Sequence, residues 1–365
     1  MVSANKEVVN VLSERKLKIL EAIIKDYIET GEPVGSRTLA KKYNIGISSA
    51  TIRNEMADLE EMGYLEHLHS SSGRIPSDKG YRLYVDKLMS IQRLPVEEEM
   101  MIKNRMLSSA IYEVDRLVKE ATIVLSKITK LATIVKAPSV RKSFIKRVQI
   151  LQIDEQNVLM VFVTDSGLIR NNVISVTDYI DEKIIEKINR ILNLRLVGLT
   201  IDDIDLEVIN NLQNDLVDYE EIFKALIPAL YKSLKSIEPS KVYTEGYSNI
   251  LDYPQFQDVD RAKDFLNLLS DEESLKELIK SPEVGDNNLS ITIGTENYIE
   301  SVKECTIITA NYKIGGRDLG SIGVVGPRRM NYEKVIATLN EIVNELNINI
   351  KTSYNRESSD DYDNE

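Results

Sequence analysis

Residues 48–82 read SSATIRNEMADLEEMGYLEHLHSSSGRIPSDKGYR. Ile52, Met56 and Leu59 recur there at helical spacing behind Ser48 and Ser49, either of which can cap a helix, and Gly63 supplies a left-handed end. Tyr64 to Leu68 then reads as a strand, Ser70 to Gly73 as a tight polar turn, and Arg74 and Ile75 as a return strand stopped by Pro76. That is a helix followed by a small antiparallel wing. With the apolar stripe turned inward, the opposite face of the first helical turns carries Ala50, Thr51, Arg53 and Asn54. These side chains suit a major groove: arginine pairs bidentately with guanine, asparagine with adenine, and small methyl-bearing groups touch the thymine methyl. Glu60 and Glu61 lie at the far end, away from a groove entered N-terminus first.

Upstream, Leu12 to Thr30 reads as a helix with Leu17, Leu20, Ile24 and Ile28 on one stripe, a Ser13 cap and a stop at Gly31. Pro33 extends the residue before it, and Ser36 can cap a short helix carrying Leu39, Ala40 and Tyr43 before a turn at Asn44 and Gly46. Helix, short helix, turn and helix is the helix-turn-helix order. Downstream, Ser77 and Asp78 cap a further helix through Met89 that packs back on the bundle. The expected DNA-contacting residues are Ser48, Ser49, Ala50, Thr51, Arg53 and Asn54 on the helix, and His69, Ser71, Gly73 and Arg74 on the wing. An exposed polar helix face can also be only a solvated face, and winged three-helix folds also serve as protein-docking modules.

The bulk charge argues against nucleic acid until it is divided. The chain of 365 residues has a net charge of -12. Residues 1–95 hold 14 Lys/Arg against 13 Asp/Glu, so the negative charge falls almost wholly after them. At roughly 150 residues per domain the length suits two or three domains, and 42% hydrophobic content supports real cores. One cysteine, Cys305, allows no intrachain disulfide, and two histidines, His67 and His69, cannot build a Cys/His zinc cluster. The start of the chain has no apolar signal-peptide core, and no run is long enough to span a bilayer, so a cytoplasmic protein without membrane contact is expected.

From Pro95 a long helix is expected to about Lys136, with Leu107, Ile111, Val114, Val118, Ala121, Leu125 and Ile128 forming a seam regular enough for a coiled coil, though with few clear flanking charge pairs it reads rather as a helix laid on a sheet. Three strands follow at Val148–Ile153, Val158–Thr164 and Leu168–Val176. The period is helical after Asp178, through Ile279, where Ser270 is placed as the cap of the last helix. Strands return at Ile291–Gly294, Cys305–Lys313 and Ser321–Val325, before a closing helix from Tyr332 to Leu346 and a polar acidic tail. The glycine-rich run Gly315–Gly323 follows no phosphate-loop spacing and reads as a hairpin turn. Gly326, Pro327, Arg328 and Arg329 form a rigid cationic turn, either an anion site or a partner for an acidic residue of the same domain.

The run LSERKLKILEAIIKDYIETGEPVGSRTLAKKYNIGISSATIRNEMADLEEMGYLEHLHSSSGRIPSDKGYRLYVD, together with LGSIGVVGPRRMNY at Leu319–Tyr332, resembles the bacterial heat-inducible transcription repressor family HrcA. Leu68 and Ser70 depart from that pattern, standing where proline and threonine are expected. The resemblance implies an α+β chain: a winged helix-turn-helix DNA-binding domain, then a GAF-like antiparallel-sheet domain interrupted by a mostly helical inserted dimerisation domain. On this basis the expected spans are 1–92 for the winged helix, 93–176 and 290–351 for the two parts of the GAF-like domain, 177–289 for the insertion, and 352–365 for a disordered acidic tail. It further implies a homodimer that represses chaperone operons at an inverted-repeat operator on double-stranded DNA, kept competent by the chaperonin GroEL. No cofactor and no catalytic residues are expected. The alternative is a winged-helix regulator controlled by a small metabolite bound to the GAF-like domain; an enzyme on the C-terminal sheet lacks any triad, metal cluster or phosphate loop.

Overall fold

The computed structural model describes residues 12–43, 45–67, 73–109, 114–138, 143–165, 169–176, 180–200, 203–219, 222–228, 241–253, 256–279, 289–314 and 317–359. Three helices open it: α1 (Glu14–Thr30), α2 (Ser36–Lys42) and α3 (Ser49–Glu61). The Ser13 hydroxyl accepts the Lys16 N–H, and Gly31 ends α1 at φ 75°, as its sequence predicts. Ser36, in contrast, is the first residue of α2 rather than its cap, which falls on Gly35 without a side-chain bond. The wing is β1 (Leu65–His67) paired antiparallel with β2 (Arg74–Pro76). Ser77 then caps α4 (Asp78–Leu83), which continues through wider turns at Tyr84–Leu88.

The single long helix expected after Pro95 is two helices, α5 (Val96–Ser109) and α6 (Val114–Thr129), packed against each other. They are tied by Arg105 and Glu120 at 2.8 Å. The helix stops well short of Lys136: Lys130 takes a left-handed φ of 57°, and the Ser126 hydroxyl donates to the Leu131 carbonyl at 3.0 Å. Ala132–Lys136, rich in β-branched residues, is strand β3.

Strand β3 lies inside an antiparallel sheet completed by β7 (Val242–Glu245), β8 (Leu289–Ile293), β9 (Cys305–Ile314) and, at its centre, β10 (Arg317–Pro327), in the order β7-β3-β10-β9-β8. One face packs on α6 and α11 (Tyr332–Ser359) through Val135, Ile308, Tyr312 and Val324. The other buries Ala132, Ile134, Ile307 and Val325 under α9 (Val259–Ser270) and α10 (Glu272–Leu278). Asp271, not Ser270, caps α10 by accepting the Ser274 N–H. Helix α11 runs thirteen residues beyond Leu346, into the span expected to be a tail.

The strands expected to open this sheet are not in it. The strands β4 (Ile145–Gln152), β5 (Asn157–Thr164) and β6 (Ile169–Ser175) pair only with one another, in that order. Their inner face shares a separate core with α7 (Glu182–Leu196) and α8 (Leu206–Asp215), built on Val148, Met160, Phe162, Ile188 and Leu192. By strand pairing, β4 to β6 stand apart from the five-stranded sheet, whereas β7, which lies within 177–289, pairs with β3. Strand β4 is an edge, and two asparagines one turn apart on α7 close it. Asn193 bonds both the N–H and the carbonyl of Val148, at 3.0 and 2.6 Å, and Asn189 does the same for Ile150, at 2.6 and 3.0 Å. The side chains thus replace a neighbouring strand and leave no template there for mispairing.

Candidate nucleic-acid interface

Helix α3 is held by its inward stripe: Ile52, Met56 and Leu59 are buried against α1 residues Ile19, Leu20 and Ile23. Its lateral face is pinned to α1 by Lys16, which reaches Glu55 at 2.7 Å and Asp58 at 2.8 Å. The lysine's hydrogen bonds to these carboxylates, Asp58 first, raise its pKa. Helix α2 is pinned likewise, by Lys42 to Asp26 at 2.7 Å and to Glu29 at 2.8 Å. Acidic residues that looked adverse for DNA are therefore used to fix the inter-helix angle.

At the front of α3 the Ser48 hydroxyl accepts the Thr51 N–H at 3.2 Å and lies 3.0 Å from the Thr51 hydroxyl. Ser48 is thus the cap, and Ser49 is half-buried in the first turn. Ala50, Arg53 and Asn54 are exposed. Neither Arg53 nor Asn54 has a hydrogen-bond or ionic partner among the described residues, in contrast to Arg15, Lys16 and Lys42 nearby. Two further exposed cations without partners among the described residues, Arg37 and Lys41, stand on α2. The apolar positions of α2 do not reveal them; their signal in the sequence is the spacing of four, which puts both on one helix face.

The wing does not present Arg74 as an open cationic tip. Its Nε and Nη2 both donate to Glu60 at 2.7 Å, and Nη1 lies 3.2 Å from His67 Nδ1. Its backbone exchanges two 2.9 Å bonds with Val34, stapling the wing to the α1–α2 connection. Gly73 belongs to the same staple, since a Cβ there would fall 2.5 Å from the Val34 carbonyl oxygen. Both residues are packed for wing geometry. His69 and Ser71 lie outside the described residues.

Among the described residues no cluster of His, Cys, Asp or Glu could hold a metal ion. Cys305 is buried, and burial pushes its thiol up to about 12, far from a reactive thiolate. No helix among the described residues is long and apolar enough to cross a membrane.

The fold is similar to that of a solved structure described as a hypothetical protein, with a TM-score of 0.62 and 24% identity over 94% of this chain and 99% of that one. The chain is 51% identical to the heat-inducible transcription repressor HrcA of Clostridium acetobutylicum over 93% of its own length and 98% of the relative's. It is 52% identical to that of Clostridium perfringens strain SM101, over 93% and 99%. Residues 115–336 match the model of the HrcA protein C terminal domain. A helix-turn-helix with an unobstructed Arg53–Asn54 face, joined to a sheet domain matched along most of its length, accounts for both ends of the chain: it belongs to the HrcA family of heat-inducible transcription repressors.

Proposed function

We propose that the chain represses heat-inducible operons by binding an inverted-repeat operator as a homodimer, with the front of each α3 in a major groove. The observation that carries this reading is the exposure of Arg53 and Asn54, without partners among the described residues, on a helix whose orientation is fixed by ion pairs. Arg37 and Lys41 supply phosphate contacts beside the groove, where the wing's Arg74 is engaged by Glu60.

The second copy docks on the outer face of the β4-β5-β6 sheet. That face sets Leu151, Leu159 and Val173 in one cross-strand row and Val163 and Ile169 in another. Leu151 and Val173 are 47% and 57% exposed, an apolar patch that a soluble chain covers. An inverted repeat asks for a two-fold partner, and a self-complementary apolar face meets that need. The family resemblance supports a cytoplasmic protein whose competence is maintained by the chaperonin GroEL, acting without a chemical step.

An operator-binding titration with and without purified chaperonin tests this reading. Tight, sequence-selective binding that rises with chaperonin supports it. Absence of any selective duplex binding removes the DNA-binding role, and binding unchanged by chaperonin removes the GroEL dependence.

A further inference from the structure

The winged helix does not hang from a linker; it meets the sheet domain along α4. Asp78, the first residue of that helix, accepts from Arg328 Nη1 at 2.9 Å, from the Thr295 N–H at 2.9 Å and from its hydroxyl at 3.0 Å. Arg328 also donates to Glu304 at 2.7 Å. One turn along α4, Arg82 donates from Nε to Glu296 at 2.8 Å and from Nη2 to the Ile291 carbonyl at 2.6 Å. Between these pins Tyr81, 2% exposed, stacks at 5.8 Å on Tyr332, and Tyr84 meets the same ring edge-on at 6.5 Å. The fit is close on the sheet side too, since a Cβ at Gly294 would fall 2.2 Å from the Asp78 carboxylate.

A single contact would leave a pivot, about which the winged helix could swing. Two charged pins one turn apart, with aromatic packing between them, fix position and rotation together. No seam residue lies on α3, so the contacts orient the recognition helix without using its groove-facing side chains. In a dimer of helix-turn-helix proteins, the separation and phase of the two recognition helices select the half-site spacing.

We propose that Asp78, Arg82, Glu296 and Arg328 are positioning residues that set which spacing of operator half-sites the dimer accepts. This rests on the dimeric DNA-binding reading above. With the seam intact, each recognition helix is presented in one phase; with it loosened, each winged helix swivels, and repeats of different phase are bound with similar strength.

The test uses the full-length protein and duplexes carrying the half-site that the wild-type protein selects from random-sequence DNA. One duplex has the selected inverted repeat, a second has about 5 bp inserted, roughly half a helical turn, and a third has one half-site. Wild-type protein is expected to prefer the first duplex over the second by about 10²-fold or more, the gain from simultaneous engagement. The double variant Arg82→Ala/Arg328→Ala should keep its affinity for the single half-site while that preference falls below about tenfold. Glu296→Gln, a milder change, should give an intermediate preference, and circular dichroism with sedimentation establishes that each variant is folded and dimeric. Folded, dimeric variants that keep the wild-type preference would overturn the positioning role alone. A wild-type protein that selects no half-site would overturn the DNA-binding reading and this proposal with it.

Discussion

Arg328 stands 250 positions from Asp78 in the chain and 2.9 Å from it in space. Burial alone would raise the Asp78 carboxyl, but hydrogen bonds from Arg328 and Thr295 outweigh it and hold the group below the usual aspartate range. Because the folded pKa is depressed, the pair's contribution is complete above the unfolded value of about 3.9 and is lost as pH falls through the lower folded value. Asp78→Asn should therefore lower stability at neutral pH by about 1 to 3 kcal/mol, as for loss of a hydrogen bond to a charged group. It should also flatten the acid limb below about pH 4. Denaturant unfolding of both proteins across that range measures it; parallel acid limbs would show that Asp78 does not carry the linkage.

The wing gives a prediction opposite to the one its sequence suggests. Since the Arg74 guanidinium is bound by Glu60, Arg74→Ala should reduce stability by about 1 kcal/mol or less, in the range of partly exposed pairs, and leave the salt dependence of DNA binding unchanged. Arg37→Ala and Lys41→Ala should each lower the slope of log affinity against log salt by about one unit. Titrations at several salt concentrations separate the two cases. A reduced slope for Arg74→Ala, with Arg37→Ala unchanged, would return the phosphate contact to the wing.

Dimerisation through the outer sheet face predicts that Leu151→Asp with Val173→Asp gives a monomer whose helices and melting behaviour are intact. Loss of the second, intramolecular engagement should weaken operator binding by about 10² to 10⁴. Sedimentation velocity reads the assembly directly. A dimer as tight as wild type would place the contact elsewhere.

Local features of the winged helix were legible in the sequence because each depends on residues a few positions apart. A serine cap at Ser48 or Ser49, the stripe of Ile52, Met56 and Leu59, the left-handed Gly63 and the two wing strands all follow from spacing, and the structure settles the cap on Ser48. Failure begins where non-local pairing decides. Ala132–Lys136 continues the apolar run of the preceding helix, and only its pairing with β10 and β7 makes it a strand. Strands β4 to β6 have ordinary strand patterns, but no local signal tells which sheet a strand joins. Arg74 reads as a free cation until the fold brings Glu60 to it, and the cationic turn at Arg328 reads as either an anion site or a partner for an acidic residue of its own domain. Its partner Asp78 belongs to the winged helix.

The central claim is that Arg53 and Asn54 read bases. It is tested most directly by comparing wild-type, Arg53→Ala and Asn54→Ala proteins for affinity to the selected operator and to operators altered one base pair at a time. Each variant should fold normally, lose about 1 to 3 kcal/mol of binding per half-site, and become indifferent to one base pair that the wild-type protein distinguishes. Folded variants that keep full affinity and the wild-type pattern of base preference would contradict the assignment of this helix face to the operator.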